Sequence, residues 1–219
     1  MGYILQIDTS GEKGMLVLAH SGIVVSKKTI EDSKKQAALI NVLIEQLLSE
    51  SNIEMKQMQA ITVIAGPGSY TGLRIGLATA KGICYALDIP LIMQSKLEIL
   101  SLQQSKGKDF ENYGCILKAR EKEYFFALYK SNNEEHISPQ HITEDAMISL
   151  LEKIKIKTLL TTENSILQTI FFDTITFNNH PEIDHVFWSQ LSWNYYLEKN
   201  FSNLSTSEPY YLKQVFTHK

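Results

Sequence analysis

The sequence has little net charge and no long apolar segment, and each shortage excludes a class of protein. Over 219 residues, 21 Lys and Arg stand against 24 Asp and Glu, which gives a formal net charge of −3. This balance provides no global field for holding a polyphosphate, so any contact with nucleic acid has to be local or shared with a partner. No run approaches the ~18 apolar residues of a membrane-spanning helix, so we expect no membrane association.

Cysteine is also scarce, which bears on the compartment. The two cysteines, Cys84 and Cys115, lie in apolar runs that predict a buried helix and a buried strand. A reduced, cytoplasmic chain is the simplest interpretation, because disulfides persist mainly in oxidising compartments. The first residues lack a basic segment and reach Asp8 before an apolar run of signal-peptide length, which favours the same location.

The composition is that of a globular protein, and its patterning changes along the chain. Hydrophobic residues make up 44% and charged residues 21%, far from the composition of disordered chains. Apolar runs and helical spacing predict the order β-β-β-α-β-α-β at first, with strands at 4–8, 15–20, 22–28, 60–65 and 90–94 and helices at 33–50 and 72–87. A polar linker is predicted at 106–109, followed by strands at 115–119, 124–129, 158–162 and 175–177 and helices at 143–156 and 185–200. The second half repeats the first too loosely to define an internal repeat.

Both early helices carry more apolar or small residues than one supporting sheet needs. In helix 33–50, for which Ser33 is the predicted N-cap, Leu39 and Val42 widen the apolar stripe. In helix 72–87, small residues form two ridges at four-residue spacing, which allows close packing on more than one side. Either the core contact is wide or a partner covers part of these faces.

A glycine-rich loop between a buried strand and a helix is the most informative segment, namely Gly66-Pro67-Gly68-Ser69-Tyr70-Thr71-Gly72-Leu73-Arg74. Phosphate-binding loops occur at such positions. A Walker loop requires a lysine after its spacer and a dinucleotide fingerprint requires a further glycine, and both are missing here. The alternative is a tight turn that needs glycine for its backbone conformation.

An acid followed by hydroxyl residues, Asp8-Thr9-Ser10, ends the first predicted strand. Two interpretations of this segment are open. It either binds a hydrated Mg²⁺ and one edge of a phosphate group, or it forms a turn that is capped by side-chain hydrogen bonds. An aspartic protease loop is excluded, because Ser10 replaces the required glycine and no second such loop exists.

Metal ligands and nucleophiles lack the required spacing. The six histidines contain no pair four residues apart, so no helical zinc pair is predicted and we assign no metal site. The chain has neither a Gly-x-Ser-x-Gly elbow nor a C-x-x-C motif. We therefore predict no catalytic residue.

Together the segment around Asp8, the glycine loop and Ala78-Thr79-Ala80-Lys81-Gly82 resemble the TsaB (YeaZ) family, with weaker likeness at Ala119-Arg120 and in the tail Pro209-Tyr210-Tyr211-Leu212. The likeness covers 3–100 well, 115–129 in patches and 130–205 hardly at all. It implies an α/β fold of actin-like type, with two RNase H-like lobes of mixed sheets flanked by helices. The expected lobes are 1–105, which holds the glycine loop, and a more divergent 106–219, whose final helix packs back on the first lobe.

The resemblance also implies a function and partners. Members of the family are non-catalytic scaffold subunits that pair with TsaD, which installs N6-threonylcarbamoyladenosine at position 37 of tRNAs reading ANN codons. An ATPase, TsaE, joins the pair, and TsaC-type enzymes supply threonylcarbamoyl-adenylate. We expect tRNA contact only through the complex, a homodimer when alone, and no cofactor apart from ATP or ADP at the complex interface. The implied interface comprises Ala37, Ile40, Leu43, Ile44, Leu47, Leu73, Gly76, Leu77 and Ala80.

Two departures from related enzymes weigh against catalysis. The first helix near 36–40 has no histidine where the catalytic relative holds a metal, and Lys118 precedes Ala119-Arg120 where many relatives keep Asp. Asp8, Thr9 and Ser10 would then be a vestigial nucleotide site. The alternatives are a stand-alone actin-like kinase dependent on Asp8 and, with least support, a glycoprotease-like metallopeptidase.

Overall fold

The structure is a computed structural model that describes residues 2–105, 112–130, 135–154, 156, 158–161, 166–171, 173–178 and 182–212. The chain forms two compact units. One contains Met1–Lys96 and Asp184–Tyr210, and the other contains Leu97–Ile183 and the segment that begins at Tyr211. The compact units therefore divide at Lys96 rather than at residue 105, and the final helix is part of the first unit. The linker expected at 106–109 lies outside the described residues.

The first unit follows the order of elements that the sequence predicts. Its elements are β1 (Tyr3–Asp8), β2 (Gly14–His20), β3 (Ile23–Ile30), α1 (Gln36–Glu50), β4 (Met58–Gly66), α2 (Tyr70–Leu87) and β5 (Leu91–Ser95). The sheet has the order β3-β2-β1-β4-β5. The three-stranded meander is antiparallel, while β1, β4 and β5 are parallel, so the sheet is mixed.

The second unit repeats this topology. Its elements are α3 (Lys96–Ser105), whose first residue belongs to the first unit, and then β6 (Asn112–Arg120), β7 (Glu123–Lys130), β8 (Glu135–Thr143), α4 (Glu144–Lys153), β9 (Thr158–Thr161), α5 (Ile166–Phe171) and β10 (Thr176–Asn178). The sheet order β10-β9-β6-β7-β8 corresponds to that of the first sheet. Strand β8 and helices α3 and α5 were not predicted. Strand β8 contains Pro139 and few apolar residues, a composition that an edge strand tolerates.

Helices cover both faces of the first sheet, because side chains alternate along each strand. Leu5 and Ile7 of β1 pack with Ile44 of α1 and Ala80 of α2. On the opposite face, the last helix, α6 (His185–Leu197), places Trp193 against a cluster that includes Ile4. Both sides of the central strands are therefore buried.

The ends of α1 and α2 differ from the predicted ends. Asp32, not Ser33, caps the first helical segment, because its Oδ1 accepts from the Lys34 N–H at 2.9 Å and Ser33 already lies in a 3-10 turn. Ser69 caps α2, where its Oγ accepts from the Gly72 N–H at 3.2 Å. Helix α2 consequently begins at Tyr70, two residues before the predicted start.

Candidate functional site

The two motifs at Asp8 and at the glycine loop meet at the carboxyl end of β1. The Thr9 hydroxyl donates to the Gly72 carbonyl oxygen at 2.7 Å. The Ser69 N–H donates to the Ser10 carbonyl oxygen at 2.7 Å. We call this arrangement the β1 junction; it consists of Asp8, Thr9, Ser10, the loop 66–74 and the first residue of α3, Lys96.

Glycine is required at two positions of this loop because the backbone of the loop lies directly against the backbone of Thr9 and Ser10. A Cβ atom on Gly72 would overlap the carbonyl oxygen of Thr9, and one on Gly68 would overlap that of Ser10. Within the loop, Gly66, Pro67, Gly72 and Leu73 are buried, Gly68 is half-buried, and Ser69, Tyr70, Thr71 and Arg74 are exposed. The Arg74 guanidinium lies 4.1 Å from the centre of the Tyr70 ring, as in a cation–π contact.

Both oxygens of the Asp8 carboxylate face hydrogen-bond donors of the chain itself. Oδ1 accepts from the Ser10 N–H at 2.8 Å and from the Ser10 hydroxyl at 2.6 Å. Oδ2 lies 3.5 Å from Lys96 Nζ, and the same ammonium donates to Ser10 Oγ at 3.1 Å. Only 12% of the Asp8 side chain and 19% of the Lys96 side chain are exposed. Asp8 is thus a largely buried, paired carboxylate.

The carboxylate of the β1 junction does not fit the Mg²⁺ that an actin-like fold suggests, and several N–H groups of its loop are not available to a phosphate. A phosphate loop needs backbone N–H groups that point at the ligand. Here the N–H groups of Ser69, Gly72 and Leu73 donate to protein oxygens, and Pro67 has no N–H to offer. The geometry favours the turn-capping interpretation of Asp8-Thr9-Ser10.

No metal centre is formed by the described part of the chain. Within those ranges, no group of three His, Cys, Asp or Glu side chains is arranged to hold an ion. His20 packs against Tyr3 with 4.7 Å between ring centres and the ring planes tilted by 45°, and His141 Nε2 lies 3.2 Å from Glu123 Oε2. Near 36–40, Gln36 is buried and its Nε2 donates to the Gly11 carbonyl oxygen at 3.3 Å. His180 and His218 lie outside the described residues.

The structure also places three further features of the sequence, namely the two cations near Ala119, the two cysteines and the lengths of the apolar helices. Lys118 and Arg120 are exposed on β6. Both cysteines are free and buried, and their burial was predicted from the apolar runs around them. Burial raises the pKa of the Cys84 thiol from its ordinary 9.0 to about 12, so the thiol is protonated at neutral pH and a poor nucleophile. Among the helices that the structure describes, none is both long and apolar enough to span a membrane.

The implied interface needs correction, because most of its residues lie in the core. The buried ones are Ile40, Ile44, Leu47, Leu73, Gly76, Leu77 and Ala80, whereas Ala37 is exposed and Leu43 half-buried. The stripe faces the sheet, so most of these side chains present little surface to a partner, although Ile44 also lines the groove described next. What α1 and α2 present instead is a groove of about 350 Å³. It is lined by Asn41, Ile44, Glu45, Leu48, Ser49, Ile53, Met55 and Ile83.

The sequence did not indicate two residues of this region, namely Lys96 of the β1 junction and Gln36, which donates to the Gly11 carbonyl oxygen beside it. Lys96 carried one usable signal: a cation at the first position of a helix opposes the helix dipole and therefore suggests a nearby acid. Gln36 carried none, because a glutamine at the start of an amphipathic helix is ordinarily exposed.

Comparison with known proteins agrees with this fold. The family model described as TsaD, tRNA N6-adenosine threonylcarbamoyltransferase, matches residues 24–207. The Bacillus subtilis tRNA threonylcarbamoyladenosine biosynthesis protein TsaB is 29% identical over 154 residues, which cover 68% of this chain and 66% of the relative. The match thus spans slightly less than two thirds of that protein.

Solved structures extend the likeness to nearly the whole chain. YeaZ from Pseudomonas aeruginosa superposes with a TM-score of 0.70 at 19% identity, covering 97% of this chain and 100% of YeaZ. A Bacteroides thetaiotaomicron protein with an actin-like ATPase fold gives a TM-score of 0.51 at 8% identity, covering 87% of this chain and 95% of that protein. The chain belongs to the family of the tRNA N6-adenosine threonylcarbamoyltransferase model, and within it to the TsaB (YeaZ) proteins of actin-like fold.

Proposed function

We propose that this chain is a non-catalytic subunit in the biosynthesis of N6-threonylcarbamoyladenosine at position 37 of tRNAs that read ANN codons. The B. subtilis relative is named for this pathway. The observation that carries the proposal is the β1 junction, where the groups suited to a nucleotide are paired with one another. A subunit with such a site contributes a binding surface rather than chemistry.

The partner in this proposal is a TsaD-type transferase, which supplies the active site. The pairing surface is the outer side of α1 and α2, including the groove beside Glu45 and Ile83. Val42 is 46% exposed and lies on the same helix stripe as Glu45 and Ser49, at spacings of three and seven residues. Apolar groove walls with an exposed carboxylate at the edge suit a helix that carries both apolar and basic residues.

The remaining components follow from the same role. A TsaE-type ATPase joins the pair, and ATP or ADP is held at the interface of the complex rather than by this chain alone. In the absence of the transferase, two copies of the chain pair through the same surface. Transfer RNA is reached only within the complex, which agrees with the formal net charge of −3.

A matched pair of substitutions tests the surface. Val42→Glu on α1 and Val186→Glu on α6 each place a carboxylate at a half-exposed valine, with 46% and 55% exposure, but on helices that cover opposite faces of the sheet. We expect Val42→Glu to weaken binding to the transferase by about tenfold or more, because the charge is desolvated at the interface, and Val186→Glu to leave it unchanged. Sedimentation measures the binding, and thermal melting checks that both variants fold.

The reaction itself gives the second test. The chain alone should neither modify tRNA nor hydrolyse ATP, and adding it to the transferase, TsaE and a source of threonylcarbamoyl-adenylate should restore modification. ATP hydrolysis by the isolated chain that Asp8→Asn abolishes would instead favour the kinase alternative. If the two valine variants bound the transferase equally well, the interface would lie on a surface other than that of α1 and α2.

A further inference from the structure

The Asp8 carboxylate has a cation of its own chain beside it. Lys96 Nζ lies 3.5 Å from Asp8 Oδ2 and 3.1 Å from Ser10 Oγ. Both side chains are largely removed from water, with 12% of Asp8 and 19% of Lys96 exposed. The ammonium therefore occupies one side of the only carboxylate that ends β1.

The position of Lys96 is unfavourable unless nearby acidic groups compensate for it. Lys96 is the first residue of α3, where the N-terminal end of the helix dipole repels a positive charge. A partly buried ammonium also loses hydration. The nearby carboxylate and the Ser10 hydroxyl, together with Glu98 in the first turn of α3, offset these costs.

A divalent cation at Asp8 would have to displace this ammonium. Mg²⁺ binds through carboxylate oxygens with near-ideal geometry and keeps several of its waters. Oδ1 already accepts from the Ser10 N–H and hydroxyl, and the approach to Oδ2 is taken by Lys96. Metal binding would also leave Lys96 half-buried beside a second cation, which like-charge repulsion opposes.

We propose that the Lys96 ammonium takes the place of a divalent cation at Asp8, so that the chain excludes Mg²⁺ from the β1 junction until this charge is removed. The inference adds to the proposed function a reason for the lack of nucleotide chemistry. This proposal is tested on the isolated chain without a transferase. An experiment that contradicts it therefore leaves the proposed pairing surface untouched, and the reverse also holds.

The test measures Mn²⁺ binding to the isolated full chain from the electron paramagnetic resonance signal of free Mn²⁺. Four proteins are compared with the wild type: Lys96→Met, Lys96→Arg, Asp8→Asn, and Lys96→Met combined with Asp8→Asn. Methionine keeps an unbranched stem without charge, and arginine keeps the charge. We expect Lys96→Met to bind Mn²⁺ at least about tenfold more tightly than the wild type. The Lys96→Arg protein should behave as the wild type, and Asp8→Asn should remove the binding gained by Lys96→Met.

Two results would overturn the proposal. One is wild-type Mn²⁺ binding that Asp8→Asn abolishes, because Asp8 would then accept a metal despite Lys96. The other is a folded Lys96→Met protein that binds no more Mn²⁺ than the wild type. Should Lys96→Met fail to fold, Lys96→Gln serves, since its amide can still donate to Ser10 Oγ.

A second measurement needs no lysine variant. Mn²⁺ broadens the NMR signals of nuclei close to it, so a metal at Asp8 would broaden the amide signals of Thr9 and Ser10. We expect these signals of the wild type to persist at millimolar Mn²⁺. Broadening that Asp8→Asn prevents would contradict the proposal.

Discussion

Gly72 and Gly82 both belong to α2, but their Cα atoms face different surroundings. A Cβ on Gly72 would overlap the Thr9 carbonyl oxygen, whereas one on Gly82 would meet no atom within 4 Å. The first glycine is needed for the approach of β1 to the helix. The second only gives the unfolded chain and the helix extra freedom.

These surroundings predict opposite effects of the same substitution. Gly72→Ala should lower the free energy of unfolding by about 3 kcal/mol, because neither backbone can move away without strain. Gly82→Ala should raise it by about 0.5–1 kcal/mol. Urea unfolding followed by circular dichroism measures both. A Gly72→Ala protein as stable as the wild type would mean that the β1 junction is looser than the structure shows.

Cys84 predicts a dependence of stability on pH. Because burial raises the pKa of the thiol, the folded chain keeps the proton up to pH about 12, while the unfolded chain loses it near 9.0. The stabilising contribution of the neutral thiol is therefore complete below pH 9.0 and is lost as the pH rises toward about 12.

A comparison with Cys84→Ala isolates this effect from other groups that titrate in alkali. We expect the urea midpoint of the wild type to fall more than that of Cys84→Ala between about pH 8 and about pH 10.5. Parallel curves for the two proteins would show that the thiol is not protected from deprotonation by folding.

Among the elements, α6 is held to the first sheet by buried polar groups as well as by apolar contacts. Gln6 Nε2 donates to Ser192 Oγ at 2.8 Å, and Ser189 Oγ donates to Gln6 Oε1 at 2.7 Å. Trp188 Nε1 donates to Gln94 Oε1 at 2.7 Å. These side chains are at most 1% exposed, so each bond orients α6 where water cannot substitute.

Removing one side chain of this network should lower the free energy of unfolding by more than the net contribution of the hydrogen bonds that are lost. We expect Gln6→Leu to lower the free energy of unfolding by about 2 kcal/mol or more, because a buried serine hydroxyl loses its partner. Gln46→Leu, at an exposed glutamine of α1, should change it by less than about 0.5 kcal/mol. Equal effects in chemical unfolding would indicate that water reaches the network.

At the scale of the whole molecule, two sheets of the same strand order arise from halves whose sequences resemble each other little. The first unit also includes a segment that is distant in sequence, Asp184–Tyr210. In this segment, Ser202 N–H donates to the Leu91 carbonyl oxygen at 2.8 Å and Tyr210 N–H to that of Ala65 at 2.8 Å. The predicted first lobe, 1–105, lacks all of these contacts.

This arrangement predicts that a fragment of residues 1–105 does not fold by itself, because one face of its sheet would expose Ile4, Ala60 and Ile92. A peptide of residues 184–210 added in trans should restore cooperative melting, monitored by circular dichroism. The same peptide with Trp188→Ala is the control and should restore it less. Cooperative melting of 1–105 without the peptide would support the predicted lobe boundary instead.

Much of the first unit could be predicted from local pattern. Strand and helix periods are properties of neighbouring residues, so the order β-β-β-α-β-α-β and the burial of Cys84 followed from the sequence. The position of the glycine loop between β4 and α2 followed in the same way. Edge strand β8 did not, because its polar residues and Pro139 obscure the alternation.

Other features were decided only by tertiary structure. The stripe on α1 and α2 showed many apolar residues but not which of them face the sheet, so the implied interface fell largely on buried positions. Lys96 meets Asp8 across 88 residues of sequence, and Gln6 meets Ser192 across 186. Periodicity contains no information about such distances. Which polar groups satisfy one another is settled when the chain packs, since most buried donors and acceptors then find a partner.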